Sequence, residues 1–233
     1  MKKIAVLTVL LVSLTMGLAF IGAGLPARAA EDPQKELMGA AVMGELDRVK
    51  SLVEAGADVN YQEENSRATP LIGACWRGHE EVIKYLVARG ADVNVQNANG
   101  DTPLMLAAGS KQFKTLVPWL LARGADAAAV RNDNMNAVWN LVVKVERYNV
   151  PDLVKTVNLL VDRGAAVNLT INGDFTPLMF ASRAGCLEMV QCLVKNGAEV
   201  NRETGDGRTP LHLAQKEGHA PVVSFLQSKG AAE

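Results

Sequence analysis

Apolar residues in this chain return at helical spacing in short bursts, each closed by glycine. One burst reads Glu81-Val82-Ile83-Lys84-Tyr85-Leu86-Val87 and another Glu188-Met189-Val190-Gln191-Cys192-Leu193-Val194, with the apolar side chains on one face. Ahead of such stretches lies a shorter burst that opens on Thr-Pro-Leu, at Thr69-Pro70-Leu71, Thr102-Pro103-Leu104, Thr176-Pro177-Leu178 and Thr209-Pro210-Leu211. Leu and the Ala four residues after Pro (Ala74, Ala214) share a face, and Ala is small enough to let a neighbouring helix approach. The pattern predicts pairs of short helices. Thr starts the first by accepting a bond from a first-turn N–H, and Pro lacks only an N–H that had no helical partner. A turn at Gly78, Gly185 or Gly218 ends it. The second helix stops at the glycine of a Gly-Ala pair, which takes the left-handed conformation without a Cβ penalty. Links such as Asn97-Ala98-Asn99-Gly100-Asp101 and Gly205-Asp206-Gly207 favour tight turns.

The bursts keep a fixed beat. Thr-Pro-Leu recurs at 33 residues within the first and last pairs of copies and at 74 across the middle, room for one degenerate copy that Asn136-Ala137-Val138 fills. Gly-Ala begins at Gly56, Gly90, Gly124, Gly164, Gly197 and Gly230, with intervals of 34, 34, 40, 33 and 33. Four of these run on into Val59-Asn60, Val93-Asn94, Val167-Asn168 and Val200-Asn201. Thr209-Pro210-Leu211-His212-Leu213-Ala214 carries the string T-P-L-H-x-A in full, and the other copies depart from it only where Ile72, Met105 and Met179 replace His. On these residues, across roughly positions 34 to 233, the chain resembles the ankyrin-repeat family.

The resemblance implies an all-α solenoid of about six stacked helix-turn-helix units with β-hairpin or turn links. The units fall near 34–60, 61–94, 95–128, 129–168, 169–201 and 202–233, within a repeat domain of 30–233. Isolated helices under about 12 to 15 residues rarely repay nucleation, so stability has to come from each unit covering the next. The first unit lacks Thr-Pro-Leu but keeps Leu37, Ala40, Ala41, Leu52 and Val53, which reads as an N-terminal cap. Gln215, Lys216, Glu217, Gln227 and Lys229 give the sixth a wetted end. Two places break the pattern. Pro118 falls where a second helix should be running, which predicts a late helix start near Val117. In the fourth unit, Val143 to Asn149 either lengthens the first helix or bulges before Pro151-Asp152 opens the second.

Ahead of the repeats stand Met1-Lys2-Lys3, an apolar run from Ile4 to Leu25 and Ala27-Arg28-Ala29, the pattern of a secretory signal over residues 1–29 cut before Ala30. Uncleaved, the same run of 22 positions is long enough to cross a bilayer. Under either reading the lysines stay in the cytoplasm and the repeats are exported, to a periplasm or the outside medium. Asn168-Leu169-Thr170 fits a glycosylation acceptor but coincides with the repeat's own Val-Asn. Removing residues 1–29 takes away Lys2, Lys3 and Arg28 and no acids, leaving 21 bases against 25 acids and a net charge near −4. Nucleic acid and other polyanions are disfavoured as partners.

No catalytic constellation stands out, and no metal or cofactor is expected. His79, His212 and His219 occupy repeat positions, where the ring bonds backbone or a flanking unit. Cys186, His212 and His219 lack any CxxC or HxxxH spacing that would set two zinc ligands on one face. No Gly-x-x-x-x-Gly-Lys run cradles phosphate. Cys75 and Cys192 read as core filler, and Cys186 is the more exposed thiol. No disulfide is expected, since three unit steps of about 8 to 10 Å separate Cys75 from the others and a bridge needs Cα atoms within about 7 Å.

What remains is surface. In the family that this chain resembles, the residue before Thr and those late in the first helix are variable and face a groove that holds protein partners. Those positions here are Ala68, Asp101, Met135, Phe175 and Arg208, then Trp76-Arg77, Gly109-Ser110, Arg183-Ala184 and Lys216-Glu217. Trp76, Arg77, Phe175 and Arg183 lead as partner-binding residues, since Trp and Arg dominate binding energies; Asp101, Arg208 and Lys216 join them. Trp139, in the His slot of the fourth unit, is either partner-facing or core. Trp119 reads as core, and Tyr61, Arg131 and Asn172 as weaker candidates at the tips. The reading is a non-catalytic exported binding module; the alternatives are a membrane-tethered scaffold and a redox sensor or enzyme.

Overall fold

The computed structural model describes residues 32–171 and 174–232. Residues 1–29, read as a secretory signal, the expected cut before Ala30 and Asn172 lie outside the described residues. Among the described residues twelve helices form six pairs: α1 (Pro33–Met43) with α2 (Leu46–Glu54), α3 (Pro70–Arg77) with α4 (Glu80–Ala88), α5 (Pro103–Gly109) with α6 (Phe113–Leu121), α7 (Ala137–Val142) with α8 (Val150–Asp162), α9 (Pro177–Arg183) with α10 (Leu187–Lys195), and α11 (Pro210–Lys216) with α12 (Ala220–Ser228). First helices stack in one row, α1 on α3, α3 on α5, α5 on α7, α7 on α9 and α9 on α11. Second helices form the other row, with α2 on α4, α6 on α8, α8 on α10 and α10 on α12. The solenoid of helix-turn-helix units is as the sequence implies.

The caps explain where each first helix begins. Thr69, Thr102, Thr176 and Thr209 accept through Oγ1 from the backbone N–H three residues on, at 3.3, 3.3, 3.2 and 3.1 Å. Asn136 does the same for Trp139 at 3.2 Å, so the degenerate copy is a working cap. Ala74, Ala107, Ala181 and Ala214 are fully buried between successive first helices, where a larger side chain would push the rows apart.

Asparagines of the Val-Asn marker tie unit to unit. Asn60 donates from Nδ2 to Gly90 O at 3.0 Å and accepts from Asp92 N at 2.8 Å. Asn94, Asn168 and Asn201 repeat both bonds onto Gly124 and Asp126, Gly197 and Glu199, and Gly230 and Ala232. In the third unit Ala128 takes this place and the rung is missing. Within the fourth unit Asn136 donates to Ala166 O at 2.8 Å, and the third and fourth units are tied instead by Asn140, which donates to Met105 O at 2.8 Å.

The links are tighter than hairpins. Each closes on two backbone bonds, such as Glu63 N to Ala68 O with Arg67 N to Glu63 O, or Asn97 N to Asp101 O with Gly100 N to Asn97 O, and no strand forms among the described residues. An isolated bridge joins Ile171 and Phe175. Every tip places the residue two before the cap in the left-handed region, filled by Gly100 and Gly207 but also by Arg67, Asn134 and Asp174.

Both irregular places resolve differently from, or more fully than, the sequence reading. The helix with Pro118 does not start late: α6 runs through it from Phe113. Pro118 is exposed and so is Lys114, so water can satisfy the carbonyl that loses its donor. Val143–Asn149 bulges, α7 stopping at Val142, and α8 is thirteen residues long where the other second helices have nine.

Candidate functional site

Consecutive units are locked at the ends of the first helices. His79 Nε2 lies 3.0 Å from Val42 O and His219 Nε2 3.0 Å from Arg183 O, each ring lying over the glycine that ends the preceding first helix. A Cβ on Gly44 or Gly185 would sit 2.5 Å from the imidazole, so these glycines are required by the packing as well as by their positive φ. The histidines therefore bond neighbouring backbone. His212 instead lies exposed on the outer face of the sixth unit, beside a cavity of about 390 Å³ also lined by Asn201, Glu203, Thr209 and Gln215.

In this register the last residues of α1, α3, α5, α9 and α11, and those just past α7, fall in one row. The large apolar side chains most exposed among the described residues stand here: Met43 at 68 %, Trp76 at 55 % and Val143 at 39 %. Arg77 lies over the Trp76 ring, 4.2 Å from its centroid. Arg183 is exposed and lies 5.3 Å from the Phe175 ring and 5.2 Å from that of Phe180, both half-buried. Lys216 is exposed at the end of α11. The leading candidates thus share one face, in two Arg–aromatic groups three units apart.

Two candidates are corrected. Trp139 is fully buried: its indole donates to Leu169 O at 3.0 Å and meets Phe180 edge-on at 6.5 Å, so it is core of the junction with the fifth unit. Asp101 is 6 % exposed, its carboxylate held by Arg131 at 3.2 Å and Asn97 at 3.1 Å, so it braces adjacent tips and offers no charge to a partner. Arg131 is committed to the same brace and to Asp133. Arg208 is half-buried and turned onto Asp206 at 2.8 Å, which with Thr204 holds that carboxylate below its ordinary range. Tyr61 is half-buried, and Trp119 is half-buried under the Arg123 guanidinium at 3.5 Å.

Met43, Val143 and Phe180 were not anticipated, and neither was Lys144. Lys144 is 8 % exposed and donates to Ala108 O at 2.9 Å and Ser110 O at 2.7 Å, with the rings of Phe113 and Tyr148 about its ammonium. The only hint in the sequence is Gly109-Ser110, whose small side chains leave room at the end of α5.

The thiols are placed for packing. Cys75 and Cys192 are buried, Cys186 half-buried, and all three are free. Burial pushes each thiol up from its ordinary value, which works against the thiolate that nucleophilic or redox chemistry needs. Among the described residues no group of three His, Cys, Asp or Glu side chains is placed to hold a metal ion, and no helix is long and apolar enough to cross a membrane.

An ankyrin-repeat domain from Acinetobacter baumannii is similar to this fold with a TM-score of 0.71 at 25 % identity, covering 84 % of this chain and 98 % of that one. A chain from the complex of a predatory endopeptidase of Bdellovibrio bacteriovorus with an immunity protein is similar in fold, with a TM-score of 0.70 at 23 % identity and the same coverages, 84 % and 98 %. Comparison with curated proteins gives no significant match. The family model for ankyrin repeats, three copies long, matches residues 37–131 and again 127–232. With nearly every described unit inside those two matches, the chain belongs to the ankyrin-repeat family.

Proposed function

We propose that this chain is a non-catalytic binding module, exported by residues 1–29, that holds one protein partner along the ends of its first helices. Ankyrin repeats generally mediate protein–protein interaction, and the fold is typically non-catalytic. The observation that carries the reading is Trp76, more than half exposed and overlain by Arg77 on a row where packing has no use for an indole. A solvated tryptophan loses little on leaving water and gains a large apolar contact in a partner's pocket.

The test is recovery of a defined partner from an envelope extract with the wild-type chain and with Trp76→Ala/Arg77→Ala. Loss of the partner with an unchanged circular dichroism spectrum is expected. Loss of helicity in the variant would reassign both residues to packing. Export is tested separately by mass spectrometry of the mature protein: an N-terminus at Ala30 supports a free module, and an intact Met1 would support the tethered scaffold.

A further inference from the structure

The binding row carries a charge of its own, opposite to that of the whole chain. At the ends of the first helices and just past them the exposed charged residues are Arg77, Lys111, Arg147, Arg183 and Lys216 against Glu45, Glu146 and Glu217, a net positive balance. Of the carboxylates at the starts of the adjoining second helices, Glu80 and Glu81 are taken by Lys84, Asp152 by Lys114 and Asp47 by Lys50, while Glu188 at the start of α10 is exposed and has no such partner among the described residues.

Among the described residues Arg67, Arg77, Arg147 and Arg183 are the arginines that reach neither a carboxylate nor a carbonyl, and of these only Arg77 and Arg183 lie against aromatic rings. Arg131, Arg202 and Arg208 each reach a carboxylate, and Arg123 donates to Trp119 O. Among the described residues neither Arg77 nor Arg183 has such a partner, yet both are positioned by aromatic rings. A guanidinium held against a ring loses little side-chain freedom on binding and keeps its N–H fork free for a carboxylate. Beside each fork lies an apolar surface, Trp76 in one case and Phe175 with Phe180 in the other.

From these observations we infer that the partner presents an acidic segment, with carboxylates set among apolar residues, that lies along the row from Arg77 to Arg183. This rests on the reading of the row as the binding face. The two forks are three unit steps apart, about 25 to 30 Å at 8 to 10 Å per step. An extended segment covers that in about eight residues at 3.3 Å each. Between the forks, Gly109 and Ser110 leave the floor low and Val143 offers an apolar contact beside the exposed Lys111, so the middle of the segment carries apolar residues against Val143.

A displayed library of random peptides, about 16 residues long so that an extended chain spans both forks, tests this on the wild-type protein and on Arg77→Glu/Arg183→Glu. The retained pool is expected to be enriched about threefold in Asp and Glu, with apolar residues between them, and the enrichment is expected to vanish on the variant. Raising salt from about 0.05 to 0.3 M should lower retention severalfold. A pool no more acidic than the input, or one equally acidic on the variant, overturns the inference. Arg77→Gln/Arg183→Gln repeats the comparison should the reversed charges disturb folding. A photo-crosslinker at position 143, between the forks, separates this from the parent reading. A cellular partner captured there but indifferent to both charge reversals sinks the acidic segment alone, while capture that also survives Trp76→Ala, or no capture at all, sinks the binding face as well.

Discussion

Lys144 gives the sharpest test of the energetics. Its ammonium is buried with no carboxylate beside it, and burial pushes its pKa from 10.5 down to about 8. In the unfolded chain the amine returns to its ordinary value. Between about 8 and 10.5 the unfolded chain therefore holds a proton that the folded chain has shed, and stability rises with pH across that window. At about 1.4 kcal/mol per pKa unit the full effect is about 3 kcal/mol, and about 2.5 kcal/mol of it is in place by about pH 10. The two bonds survive deprotonation, since a neutral amine still has two hydrogens for Ala108 O and Ser110 O. Lys144→Met keeps the stem against Phe113 and Tyr148 but cannot titrate. Urea unfolding of both chains at several pH values isolates the effect, because every other lysine and tyrosine cancels in the difference. The wild type should gain about 2.5 kcal/mol on the variant between about pH 7 and 10. A difference that stays flat or shrinks as pH rises would refute the account of Lys144 as a buried, destabilised cation.

Pro118→Ala should stabilise the chain by about 1 to 3 kcal/mol, because it restores an N–H to a helix that already runs through this position; an unchanged or lower urea midpoint would count against it. Arg67→Gly should raise stability by about 0.5 to 1 kcal/mol, since Arg67 holds a φ of 52° that only glycine adopts freely. A fall in the melting temperature would show that the arginine side chain contributes more than its backbone costs. Asn94→Ala removes both bonds to the next unit, leaving Gly124 O and Asp126 N unpaired, and should cost about 1 to 3 kcal/mol. Hydrogen exchange should quicken first at Asp126, and uniform protection there would contradict the ladder.

The sequence was legible wherever a residue's partner is close along the chain. Thr102 caps Met105 three positions on, and the cap could be read from Thr-Pro alone. Asn136 could be placed the same way because Asn and Thr supply the same kind of acceptor. Pro118 misled because its interior position is a local rule, while what relieves it, exposure of the Lys114 carbonyl, depends on which side of the helix faces water. Trp76 and Arg183 could be placed at the exposed ends of the first helices because their offset from Thr is fixed by the repeat. Asp101 and Trp139 have equally standard offsets and still fooled the reading. Their partners, Arg131 and Leu169, lie 30 residues further on, in the next unit. A repeat sequence shows which positions face the neighbour but does not say what the neighbour offers there.

That distinction bears on the fourth unit, where several irregular features are parts of one repair. The junction between the third and fourth units lacks the usual asparagine rung, Ala128 being unable to reach across. Asn136, Asn140 and Lys144 are spaced four apart, so they extend along one side of α7 and its continuation. Asn136 bonds forward to Ala166 O, while Asn140 bonds back to Met105 O at 2.8 Å and Lys144 back to Ala108 O and Ser110 O. Lys144 reaches those carbonyls because α7 ends at Val142 and the chain turns over the end of α5. The bulge thus supplies a polar seam where the standard rung is absent. Arg77 and Arg183 lie on opposite sides of this seam. The separation between the two guanidinium forks, which sets the length of segment that can bridge them, therefore depends on Asn140 and Lys144, although neither side chain need touch the partner.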